Sequence, residues 1–142
     1  MVQKTILMML LIIGMLNNLT SCKKNIDETY FENYDYVNNS NHNIQIKCYY
    51  MLSNQRESIF TIGIGKKLEL KQDISLSKVD SLIINADSVK VIFDNNKNIL
   101  YRKNDTSQYN IINVSNYNVV NESDKERTYK YIFTNNDFDQ AN

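Results

Sequence analysis

One histidine, two cysteines and a scatter of carboxylates are what this chain offers for side-chain chemistry. A Ser-His-Asp or Cys-His arrangement needs an imidazole held between a nucleophile and an orienting group, and His42 is the single candidate. It sits in a run of Asn and Ser with no local pattern that locks it. Zinc centres need several His or Cys ligands, and the supply is too small. The segment Asp94-Asn95-Asn96-Lys97-Asn98, with Asp105 eleven residues after Asp94, partly imitates a calcium loop. Yet the sixth place, where such loops need Gly, is Ile99, and the twelfth is Asp instead of Glu. A hairpin turn accounts for the same residues more simply. Paired carboxylates for glycoside hydrolysis leave no spacing signature in sequence, but a small domain without Trp has little room for a deep sugar cleft. The expectation is no catalytic residue, no metal and no cofactor.

The cysteines have different settings. Cys48 lies in an alternating apolar run, where a free thiol packs as a small hydrophobe, and Lys47 beside it points to the other face of a strand. Cys22 ends the segment MVQK-TILMMLLIIGMLNN-LTSC. One positive charge precedes an apolar stretch over residues 6–16, broken only by Gly14. Such a stretch fits a signal-peptide core and falls short of the ~20 residues needed to cross ~30 Å of hydrocarbon.

Leu19-Thr20-Ser21-Cys22 resembles the lipobox of bacterial lipoproteins, with Leu at the third place before Cys and a small residue just before it. The resemblance implies diacylglycerol on the Cys22 sulfur, cleavage before it, and further acylation of the new amine. Two or three acyl chains hold firmly where one is marginal, since each buried CH₂ adds ~0.8 kcal/mol. Lys23 follows, with no Asp to retain the product at the inner membrane, so an outer-membrane location is expected.

The rest of the chain must fold to be useful. Residues 43–142 hold 13 Ile, 6 Leu, 6 Val and 4 Phe, or 29 in 100. Disordered chains typically fall below about 20% in these types. Lys+Arg and Asp+Glu are both 16, and removing residues 1–21 takes away only Lys4, leaving 15 against 16. A net charge of −1 argues against a nucleic-acid partner.

Residues 23–42 are polar and end in Asn and Ser, which predicts a tether. The aromatics Tyr30, Phe31, Tyr34 and Tyr36 stand out in it. Docking as a first strand is one reading of them; a surface patch for a ligand or partner is the other. From residue 43 the period becomes two. Residues 44–50, 58–64 and 67–71 alternate as half-buried strands, with a bend at Gly63 and Gly65. Residues 81–85 form a short apolar run, and residues 88–93 and 99–101 predict a hairpin about residues 94–98. Residues 105–117 are loop-like, with Ile111, Ile112 and Val114 as plugs. An edge strand at 118–121, a strand at 127–134 and one capped helical turn complete the chain. Seven or eight short strands with regular turns predict an all-β antiparallel sandwich, an open barrel being the alternative.

The runs ADSVKVIFDNNKNILY, YNIINVSNYNV and TYKYIFTNNDFDQA, over about residues 80–142, resemble small lipoproteins of the Bacteroidetes lineage. That resemblance implies an Ig-like β-sandwich and supplies no catalytic residue. Asp80-Ser81-Leu82 and Asp87-Ser88-Val89 also look like the O-glycosylation triplets of that lineage, at Ser81 and Ser88, though both suit plain strand starts. The expected organisation is a signal peptide (1–21), a lipidated N-terminus and tether (22–42) and a sandwich domain (43–142). The expected role is a lipid-anchored, non-catalytic accessory module that meets an envelope protein or a glycan. A structural envelope lipoprotein and a small carboxylate-based hydrolase are the alternatives.

Overall fold

The computed structural model describes residues 29–51, 56–74, 82–107 and 109–142. Alternation of apolar and polar side chains sets the strands: β1 (Phe31–Asn38), β2 (Ile44–Tyr49), β3 (Glu57–Ile62), β4 (Lys67–Asp73), β5 (Ser88–Phe93), β6 (Lys97–Arg102), β7 (Asn118–Glu122) and β8 (Glu126–Phe133). A final helix, α1 (Asn135–Gln140), follows β8. The strands form two four-stranded sheets, β4-β1-β8-β7 and β3-β2-β5-β6. The predicted all-β sandwich is the observed fold. Pairing is antiparallel except between β1 and β8, which run parallel side by side.

The two inner faces share one core. Tyr34, Tyr36, Tyr129, Tyr131 and Phe133 come from the first sheet, and Ile44, Ile46, Cys48, Val89, Val91 and Phe93 from the second. In β1, β2, β5 and β8 residues i and i+2 therefore point inward, which is the period of a strand.

The tether expected through residue 42 is shorter than its bounds, because residues 31–38 dock as a first strand, the first of the two readings of its aromatics, and are paired on both sides. The alternation is hidden because two inward positions of β1 are polar. Glu32 accepts from the Tyr34 hydroxyl at 2.6 Å. Asn38, fully buried, donates its amide to the carbonyls of His42 and Ile62. A buried polar group is tolerated when its partners are supplied, and here the neighbouring turn supplies them.

Two other segments plug the core. The apolar run at 81–85 contributes a 3-10 turn at Ile83–Asn85 that plugs Leu82 and Ile83 into the core. In the 105–117 loop Ile111 and Ile112 are buried, whereas Val114 is exposed. Buried Asn110 holds that loop, donating to the Arg102 and Asp105 carbonyls and accepting from the Ile112 N–H. The β5–β6 turn is tighter than predicted, since Lys97 and Asn98 already belong to β6. Asp94 and Asn95 adopt φ of 47° and 59°, the left-handed region that Asp and Asn tolerate.

Candidate functional site

At one end of the sandwich the β1–β2 connection, the β5–β6 turn and α1 meet. His42 Nδ1 lies 2.6 Å from Asp94 Oδ2, and the Asn43 N–H donates to Asp94 Oδ1 at 2.8 Å. An ionised carboxylate only accepts, so Nδ1 carries the proton. The His42 ring stacks on Phe138 with centroids 3.5 Å apart and 11° between planes. Lys97 Nζ sits 4.5 Å from the centroid of that phenyl ring. His42 is therefore locked, contrary to the expectation from its Asn- and Ser-rich surroundings. The Asp94 carboxyl is held below the usual carboxylate range, first by the His42 hydrogen bond and then by the Asn43 N–H.

The corner does structural work. It joins the start of β2 to the β5–β6 turn and pins α1, beyond whose C-cap Ala141 the residue Asn142 exchanges two backbone hydrogen bonds with Asn98. The helix is fixed at its other end by Asp137, whose carboxylate accepts from the Thr134 N–H and hydroxyl at 2.7 and 2.9 Å.

A second candidate lies on the outward face of the first sheet. A shallow, open groove of about 370 Å³ runs along it, lined by Asn33, Asp35, Glu69, Lys71, Glu126 and Thr128 among others. The register explains the lining. Asn33 stands opposite Lys71 on β4 and Thr128 on β8, and Asp35 stands opposite Glu69 and Lys130. At its end Lys71 Nζ lies 3.9 Å from the centre of the Phe31 ring. Amide, hydroxyl, carboxylate and ammonium groups thus flank a phenyl ring on a flat surface.

The residues singled out in the sequence fall into three groups. Leu19, Thr20, Ser21, Cys22 and Ser81 lie outside the described residues. Tyr34 and Tyr36 are buried, 1% and 0% exposed, so they are core and not a partner surface, while Tyr30 and Phe31 are half-buried. Ser88 is half-buried on β5, opposite Tyr49 and Arg102. The structure therefore does not gather the four aromatics into one patch. The groove residues escaped notice in the sequence because Asn33, Asp35 and Thr128 look like ordinary solvated positions of a strand.

Cys48 is fully buried, and burial pushes its thiol up to about 12. Among the described residues no group of three or more His, Cys, Asp or Glu side chains gathers as a metal site would require. No described helix is long and apolar enough to cross a membrane. Compared with known protein families, with curated proteins and with solved structures, the chain has no match in any of the three.

Proposed function

We propose that this chain is an exported lipoprotein, anchored through Cys22 in the outer membrane, whose sandwich is a non-catalytic accessory module that binds a glycan. The anchor reading rests on Leu19-Thr20-Ser21-Cys22 at the end of an apolar leader. The observation that carries the binding reading is the groove over β4, β1 and β8. Planar amides and carboxylates hydrogen-bond sugar hydroxyls in pairs, and the Lys71 ammonium over the Phe31 ring at the end adds a further donor. The shallow, solvent-open shape suits recognition of an extended chain better than enclosure of a transition state, which catalysis needs.

Two measurements test the proposal. Replacing Cys22→Ser should abolish processing and release the product from the membrane fraction. A variant still processed and still membrane-held sinks the anchor. A glycan array probed with the wild type and with Asn33→Ala should show binding lost in the variant, and a blank array with the wild type retires the glycan reading.

A further inference from the structure

The outward faces of the two sheets are charged differently. On the first sheet the cations have acidic or aromatic neighbours: Lys67 pairs with Glu69, Lys71 covers Phe31, and Lys130 stands opposite Asp35. On the second sheet Lys47 of β2 and Lys90 of β5 are direct cross-strand partners, at the two central strands. Like charges directly opposite destabilise a sheet, so this pair works against the fold that displays it. Arg102 adds a third cation one pair along, opposite Ser88. Among the described residues no ion pair joins any of the three to a carboxylate, and Glu57 at the edge is the one acid on this face.

The cations are framed by apolar side chains that face water. Ile59, opposite Lys47, is 54% exposed, and Leu100, opposite Lys90, is 48% exposed. Tyr49, which pairs with Ser88, is 37% exposed. One row across the sheet therefore reads Ile59, Lys47, Lys90, Leu100. Flat, cationic at the centre and greasy at the flanks is the chemistry of a surface that lies on anionic headgroups, with apolar groups entering the interface.

We infer that the outward face of β3-β2-β5-β6 rests on an anionic bilayer surface, leaving the groove of the opposite sheet turned to the solvent. The inference rests on the proposed anchor at Cys22. From that residue to Phe31 there are nine steps along the chain, a reach of at most about 30 Å. Two packed sheets lie about 10 Å apart, so the anchored chain is long enough to pass from β1 to a membrane beneath the other sheet. An acidic soluble polymer has the charge but gives Ile59 and Leu100 nothing to enter, which favours the bilayer as occupant.

The test labels lysine amines with an acetylating reagent on the full chain as its host processes it, reconstituted with vesicles. Phosphatidylcholine vesicles containing phosphatidylglycerol are compared with vesicles of phosphatidylcholine alone, and each site is read by mass spectrometry. Lys47 and Lys90 should label several-fold more slowly on the anionic vesicles, while Lys67, Lys71 and Lys130 on the opposite face keep their rates. Equal rates on both vesicles, or equal slowing on both faces, overturns the inference. So does shielding that grows with protein concentration in the absence of vesicles, which marks a second copy. Shielding by soluble polygalacturonate without shielding on anionic vesicles reassigns the face to acidic polymers and overturns it too. Flotation with phosphatidylcholine vesicles reads the anchor separately, so a protein that floats but labels evenly loses the face and keeps the lipid.

Discussion

Tyr34 on β1 and Tyr129 on β8 are register partners whose rings stack 5.3 Å apart at 14° across the one parallel pairing among the described strands. Tyr117 meets the edge of Tyr34 at 6.2 Å and 89°, tying the loop before β7 to the same cluster. Offset and edge-on aromatic pairs add about 0.5–1.5 kcal/mol beyond the area they bury. The start and end of the folded domain are thus held to each other.

A chain lacking residues 1–42 removes β1 and leaves β4 and β8 without their shared partner. That fragment should show no cooperative unfolding transition in urea, whereas a fragment beginning at Tyr30 should show one. Within the intact chain Tyr34→Ala should cost about 3–5 kcal/mol, the usual range for emptying a buried aromatic site. A cooperative melt from the shorter fragment would show that β1 is an accessory to the domain and not its centre.

β2 and β5 were legible because their inward positions, Ile44, Ile46, Cys48, Val89, Val91 and Phe93, are all apolar. β1 was less so, because its inward face begins with Glu32, met by Tyr34 on the same strand, and ends with Asn38, whose amide reaches the carbonyls of His42 and Ile62. The 3-10 turn at Ile83–Asn85 was hidden for the opposite reason, since an apolar run of that length suits a strand equally well. The outward groove needs three strands in register before its residues become neighbours. The same holds for the Lys47–Lys90 pair, which is separated by more than forty residues in the chain. His42 shows the limit most plainly: its lock consists of Asp94 and Phe138, and no local pattern around it names either.

Tyr117 offers a second stability test. Its buried hydroxyl donates to the Ile111 carbonyl and lies 3.2 Å from the Tyr36 hydroxyl. Burial raises its pKa well above that of a free tyrosine, so it stays a neutral donor. Tyr117→Phe keeps the ring and strands the carbonyl, which should cost about 1–3 kcal/mol by urea denaturation. A loss much smaller than this would mean that water takes the place of the hydroxyl.

Thiol chemistry separates the two cysteines. Cys48, buried with its pKa pushed up to about 12, should resist iodoacetamide at pH 8 in the folded protein and react fully in denaturant. If Cys22 carries lipid, the exported product has one reactive thiol after denaturation and the unprocessed precursor has two. Two free thiols in the membrane-bound product would remove the lipid from Cys22.

The acid limb of the stability profile should report on Asp94. Its carboxylate accepts from His42 Nδ1 and the Asn43 N–H, which together hold its pKa below the ordinary value of about 3.9. A group whose folded pKa is depressed binds fewer protons when folded. Its contribution is therefore complete above the unfolded pKa and is lost as pH falls through the folded one. Asp94→Asn removes the charge and one of the two acceptor oxygens while keeping the turn, because Asn tolerates the same left-handed backbone at the β5–β6 turn. Thermal melts of the two proteins should differ at neutral pH, with the wild type higher. That gap should close as the pH falls through the depressed pKa of Asp94, where the wild-type carboxylate is itself being protonated. A gap that persists undiminished at low pH would assign the effect of the substitution to turn geometry and leave the His42–Asp94 contact without a role in stability.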